Sequence, residues 1–140
     1  MSSATEAPRL YPALRYKNAA KMIDWLCDAF GFTVRARYGD GDVVHHAELV
    51  FGASMIMLGT AREDDYGKMV GAPGPGGGKS IYVAVDDADA AYARAKKAGA
   101  TILQDLTDRD YGSREFICRD PEGNVWSFGT YWPKANEPAS

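Results

Sequence analysis

The sequence has few cysteines, no concentration of positive charge and no long apolar run, and each shortage removes a class of protein. Two cysteines in 140 residues do not make a disulfide framework and fit a reduced compartment. With a formal net charge of −3 there is no cluster of lysine and arginine to meet a phosphate backbone, so nucleic acid is not expected as a partner. No apolar stretch approaches the roughly 18 residues needed to cross a bilayer, so no membrane partner is expected either. Residues 1–8 are small and polar, without the basic start and apolar core of a signal peptide, and a cytoplasmic protein is the expectation. Gly78-Lys79-Ser80 is not a phosphate-binding loop, because the earlier glycine that such a loop requires would fall at Pro73. A hydrophobic content of 46% with 25% charged residues is ordinary for a globular protein, expected here as a single domain over 1–140.

What is present is a pattern written twice. Tyr11-Pro-Ala-Leu-Arg-Tyr-Lys-Asn-Ala-Ala and Ser80-Ile-Tyr-Val-Ala-Val-Asp-Asp-Ala-Asp each read as a short strand, a polar cap and an alanine-rich helix start, with Asn18 falling on Asp87. The first module, 9–59, opens with a strand over 11–16. Asn18 caps a helix whose apolar face is Met22, Ile23, Leu26, Cys27 and Phe30, and Gly31 ends it. Strands over 33–38, 43–51 and 54–59 follow, with Gly52-Ala53 as a two-residue turn. Residues 60–79 show neither helical nor strand periodicity and read as a flexible Gly/Pro-rich linker. The second module, 80–132, repeats the order: a strand over 80–85, then a helix capped by Asp87 with Ala88, Ala91, Tyr92, Ala95 and Ala98 inward, ended by Gly99. Strands over 101–104, 114–119 and 125–131 complete it, the last two joined by the turn Asp120-Pro-Glu-Gly, and 133–140 is a tail. Cys27, Cys118, Trp25 and Trp126 are expected in the core, while Trp132 with Tyr131 closes a pocket or an interface.

The doubled βαβββ order, with Ile23-Asp-Trp-Leu near Phe30-Gly-Phe and Arg119-Asp-Pro-Glu-Gly-Asn before the last strand, resembles the vicinal-oxygen-chelate superfamily. That superfamily includes glyoxalase I, extradiol dioxygenases and the fosfomycin- and bleomycin-resistance proteins. Tyr111-Gly-Ser-Arg and Trp126-Ser-Phe-Gly-Thr-Tyr carry a closer resemblance to its PhnB-like subgroup. The resemblance implies an α+β fold in which two βαβββ modules form a curved, cup-shaped mixed sheet with helices on the convex side, and it implies a homodimer. It also places the four metal-ligand positions of the family's enzymes at Tyr11, Met57, Ser80 and Ser127. A phenol, a thioether and two hydroxyls are not a donor set for a divalent ion, so no metal and no cofactor are expected.

Strand alternation then gives the lining of the cup. If Tyr11 faces in, so do Ala13 and Arg15; likewise Ser80, Tyr82 and Ala84, and Val125, Ser127 and Gly129. The Gly52-Ala53 turn pairs Phe51 with Ser54 and Glu48 with Met57, which turns Glu48, His46 and Val50 inward and His45 outward. His46 and Glu48 are the sharpest chemical pair; they serve ligand recognition, a carboxylate base helped by histidine, or a polar stripe satisfied by Arg15 or a tyrosine. A buried Arg15 needs Glu48 or an anionic ligand group as partner. Tyr111 and Arg114 follow an exposed-looking Asp108-Arg-Asp loop that is able to cover the mouth of the cup. The expected ligand-binding set is therefore Tyr11, Arg15, His46, Glu48, Met57, Ser80, Tyr82, Tyr111, Arg114 and Ser127.

Three functions compete. The first is a metal-independent binder of a small organic molecule, comparable to the bleomycin-binding proteins, with Tyr11, Met55 or Met57 and Tyr82 as pocket walls. The second is a metal-free isomerase or lyase with Glu48 as general base, assisted by His46, which requires a Glu48 pKa raised by burial. The third is a glyoxalase-type metal-dependent lyase, for which the ligands are missing.

Overall fold

In the computed structural model, which describes residues 7–75 and 77–138, Asn18 fixes the start of the first helix. Its side-chain oxygen accepts the Lys21 amide at 3.3 Å, and helix α1 (Ala19–Phe30) runs to Gly31, whose left-handed backbone stops it. The apolar spacing buries Ala19, Met22, Ile23, Leu26, Ala29 and Phe30 on one face, while Cys27 is only half-buried. The expectations for residues 1–6 and for the last two residues of the tail lie outside the described residues.

The chain divides between Pro73 and Gly74 into two units, each a βαβββ module with its own sheet. In the first, strands β1 (Ala13–Tyr16), β2 (Thr33–Asp40), β3 (Val43–Phe51) and β4 (Ser54–Thr60) are ordered β1-β4-β3-β2. β1 and β4 run parallel, and the other pairs are antiparallel. The two-residue turn gives the expected register, Phe51 opposite Ser54 and Glu48 opposite Met57. Ala47, Leu49, Ile56 and Leu58 are buried on the helix side, so Glu48 and Met57 occupy the helix-free face. The β2–β3 pairing slips twice: Val34 pairs with Leu49 and Ala36 with Glu48, which leaves Arg35 as an extra residue on β2, and a second slip follows on β3. Tyr38 pairs with His46 but Gly39 pairs with Val44, which leaves His45 as the extra residue of a bulge, exposed, and brings Val44 into the core.

The stretch read as an irregular linker is partly helical. Helix α2 (Asp65–Val70) forms there, capped by Asp64, whose carboxylate accepts the Gly67 amide at 2.8 Å. Six residues are too few for a hydrophobic period, and none of them is buried, so no apolar spacing marks this helix in the sequence.

The second unit repeats the design with β5 (Ile81–Ala84), α3 (Ala88–Lys97), β6 (Thr101–Asp108), β7 (Arg114–Arg119) and β8 (Val125–Gly129), in sheet order β5-β8-β7-β6. Asp87 caps α3 by accepting the Ala90 amide. Ala98, rather than Gly99, is the C-cap, and the buried stripe narrows to Ala88 and Ala95, with Tyr92 set edge-on against Phe116. β6 runs four residues past the expected 101–104, because its pairing with β7 continues to Asp108 opposite Arg114. The core holds Phe116 stacked on Phe128, and a fully buried Trp126 whose indole donates to Asp120. Trp25, expected in the core, is half-buried against Phe30, and Trp132 is exposed.

Candidate functional site

On the helix-free face of the first sheet, β3 and β4 set Glu48 beside Met57, and β1 brings Ala13 to the other side of Met57. Ala36 lies opposite Glu48 on β2, so the floor around the carboxylate is apolar and small. Glu48 is 21% exposed; one oxygen accepts from Arg35, and the other is hydrogen-bonded to His46 Nε2 at 3.0 Å. His46 stacks in turn against Tyr38. The His46 hydrogen bond, followed by that of Arg35, holds the Glu48 carboxyl below its ordinary range against an opposing effect of burial. The base reading required the reverse shift, so that expectation is corrected: this carboxylate is a fixed anion of reduced proton affinity.

Arg15 lies on the same side of the sheet, opposite Gly59, where the α2 segment covers it, and its partner is neither of the two expected. Its guanidinium donates to both oxygens of Asp64, at 2.8 and 3.0 Å, and sits 4.7 Å from the centroid of the Tyr66 ring. The hydrogen bonds from Arg15, joined by the Gly67 amide, hold the Asp64 carboxyl well below the usual carboxylate range. Beside this pair opens a pocket of about 590 Å³ lined by Arg15, Arg62, Lys68 and the small residues of the α2 segment. Tyr11 is half-buried just before β1, and its hydroxyl donates to the Pro8 carbonyl.

The helix-free face of the second sheet follows from its pairings: Tyr82 opposite Ser127, Ser127 opposite Ile117, and Gly129 opposite Glu115. Glu115 is 13% exposed and accepts from Arg109 Nε at 3.3 Å and from the Tyr111 hydroxyl at 2.9 Å. Tyr82 donates to the Tyr131 carbonyl at 2.6 Å, and the Tyr131 amide donates to the buried Ser113 hydroxyl. Burial pushes the Tyr82 phenol up, and the hydrogen bond to Glu115 does the same for Tyr111. Gly129 makes the cluster possible: a Cβ there would stand 2.5 Å from the Tyr82 hydroxyl and 2.7 Å from Glu115 Cγ. Gln104 Nε2 and Arg119 Nε are buried without hydrogen-bond partners, on strand positions sharing this face.

The expected residues thus separate into groups. His46, Glu48 and Met57 sit together, Arg15 stands with Asp64, and Tyr82 and Ser127 pair on the second sheet. Tyr111 joins that second group through Glu115, and Ser80 is exposed just before β5. Arg114 is a correction. It alternates to the α3 side, away from the Glu115 face, and its guanidinium donates to Asp89 and Asp108. Glu115 and Arg109 were missed; pairing β7 with β8 across the Asp120-Pro-Glu-Gly turn would have turned Glu115 to the face of Gly129. Among the described residues no three His, Cys, Asp or Glu side chains converge to hold a metal ion. Tyr11, Met57, Ser80 and Ser127, the positions that the family resemblance assigns to metal ligands, carry a phenol, a thioether and two hydroxyls, which are poor donors for a divalent ion.

A family model described as the Glyoxalase/Bleomycin resistance protein/Dioxygenase superfamily matches residues 10–128. Uncharacterized proteins of Mycobacterium bovis and Mycobacterium tuberculosis are 33% identical over 125 residues, 87% of this chain and 82% and 74% of theirs. Among solved structures, TioX from Micromonospora sp. ML1 aligns with a TM-score of 0.71 at 30% identity, covering 87% of this chain and 94% of that one. A glyoxalase/bleomycin resistance protein/dioxygenase family enzyme from Burkholderia phytofirmans PsJN aligns at 0.65 with 19% identity, over 85% and 94% of the two chains, which is a likeness of fold.

Proposed function

The chain belongs to the glyoxalase/bleomycin resistance protein/dioxygenase superfamily, and from that premise we propose that it binds a small organic molecule without a metal ion. The observation that carries the reading is Met57 set between Ala13 and Glu48 on the face away from α1, at the position that the family resemblance assigns to a metal ligand. A thioether on an apolar floor beside a fixed carboxylate suits an organic guest that presents hydrogen-bond donors or positive charge to Glu48. The second sheet has a face of its own, where Tyr82, Tyr111 and Ser127 with Glu115 offer aromatic surface and polar anchors. The lowered Glu48 pKa weighs against the general-base alternative, because a carboxylate already holding two donors is a poor proton acceptor. A homodimer and the PhnB-like affinity belong to the same reading and rest on the family resemblance.

A thermal-shift screen of aromatic antibiotics and small metabolites, run with and without divalent metals, tests it. A guest that raises Tm without metal, and does so less in Glu48→Gln, is the expected result, since selective binding to the native state stabilises it. Hits that require added metal, or stoichiometric metal in the purified protein, would overturn the reading.

A further inference from the structure

The Arg15–Asp64 pair has the form of a ligand contact made by the chain to itself. Arg15 presents two parallel N–H groups and Asp64 fills both, the fork geometry by which guanidinium recognises carboxylate. Tyr66 covers one face of the guanidinium, which favours a planar acceptor approaching in the plane of the group. The pair borders the 590 Å³ pocket, whose size is within the range of small-molecule sites. Arg15, Arg62 and Lys68 line that pocket against Glu63, and Asp64 stands between the two arginines, with Arg62 Nη2 at 3.8 Å. Three cations and two carboxylates leave one positive charge, enough to balance one added anion. The remaining walls, including Ala61, Ala72 and Pro73, are small and mostly apolar, suited to a hydrocarbon body.

We propose that the pocket beside α2 binds the carboxylate of a small organic acid on Arg15, in the place that Asp64 fills in its absence. Asp64 is then an internal competitor, and the ligand displaces it. Gly67 allows the closed arrangement: a Cβ there would stand 2.2 Å from the Arg62 carbonyl and 3.1 Å from the competing carboxylate. Because the closed state must open first, the apparent affinity is lower than that of a free Arg15. The inference takes Arg15 from the ligand-binding set above and gives it a ligand class. It needs neither Glu48 nor the absence of a metal, so the two readings fail separately.

The test is calorimetric titration of the full chain with benzoate. Asp64→Asn keeps an oxygen for the Gly67 amide, and so keeps the α2 cap, but removes the charge that competes for Arg15. It is expected to bind benzoate about tenfold or more tighter than the wild type. Asp64→Asn combined with Arg15→Gln is expected to lose that binding. In the wild type, benzoate is expected to shift the Gly67 amide resonance, a readout that does not depend on the stability of either variant. The proposal is overturned if benzoate leaves that resonance in place, if Asp64→Asn binds no tighter, or if the double variant binds equally well. Inorganic phosphate bound as tightly as benzoate would overturn the carboxylate assignment.

Discussion

Replacing Asp120 with alanine removes one acceptor group that four donors share. Its Oδ1 accepts the Glu122 and Asn124 amides at 3.0 and 3.1 Å, and its Oδ2 accepts Asn124 Nδ2 at 3.3 Å and the Trp126 indole at 3.0 Å. These losses are unequal. The turn amides are partly exposed and recover water, at a net cost of about 1 kcal/mol each. Trp126 is fully buried, so its indole N–H is left without a partner, at about 1–3 kcal/mol. The Asp120→Ala variant is therefore expected to lose about 3–5 kcal/mol, a large share of the roughly 5–15 kcal/mol that stabilises a domain. Urea denaturation followed by circular dichroism measures it, with a fall in Tm on the order of 10 °C as the thermal counterpart. A double-mutant cycle with Trp126→Phe isolates the indole bond and should return a coupling of about 1–2 kcal/mol. An Asp120→Ala protein within about 1 kcal/mol of the wild type, or a coupling of zero, refutes the reasoning.

Gly129→Ala should cost about 1–3 kcal/mol, because the new methyl group must displace the Tyr82 hydroxyl and Glu115 Cγ, 2.5 and 2.7 Å away. Adding Tyr82→Phe should recover part of that loss in the same melts, and a Gly129→Ala protein as stable as the wild type would contradict the packing. Burial pushes the Cys118 thiol up to about 12 from an ordinary 9.0, so a thiol reagent at pH 8 should modify half-buried Cys27 well before Cys118. Because that thiol ionises only on unfolding, its contribution is complete below pH 9.0 and declines by about 1.4 kcal/mol per unit toward pH 12. Urea melts across that interval check the slope, and equal labelling rates for the two cysteines would show that Cys118 is not protected.

The parts of this fold that local chemistry dictates were legible in the sequence. Asn18 and Asp87 are caps, Gly52-Ala53 is a two-residue turn, and the period-2 argument from that turn places Glu48 opposite Met57. What was not legible depends on partners distant in the chain. Asp64 is 49 residues from Arg15 and lies in a stretch without periodicity, so nothing local marks it as the occupant of that guanidinium. The bulge at His45 is defined by the strand opposite, and no residue preference in β3 announces it. The sign of the Glu48 shift failed for a different reason. Desolvation was anticipated from strand alternation, whereas the hydrogen bond from His46, two residues away, outweighs it together with Arg35 from the neighbouring strand.

The internal repeat separates what holds the fold from what furnishes it. Val44 donates its amide to the Thr60 hydroxyl in the first unit, and Arg114 donates to Thr130 in the second, the same bond at the same strand ends. Ala47 faces Leu58 in one hairpin and Phe116 faces Phe128 in the other, so the registers can be matched residue by residue. Under that match Met57 corresponds to Ser127, His46 to Glu115, and Glu48 to Ile117. Each helix-free face carries one carboxylate held by an arginine and a ring donor, yet the two carboxylates stand at positions that do not correspond. Inheritance of one ancestral acid by both copies would have left them equivalent. The repeat thus fixes strands and caps while each face has acquired its own chemistry, and a guest recognised by Glu48 has no matching contact to make at Ile117. The two faces must therefore be tested by their own variants, Glu48→Gln on the first and Gly129→Ala on the second.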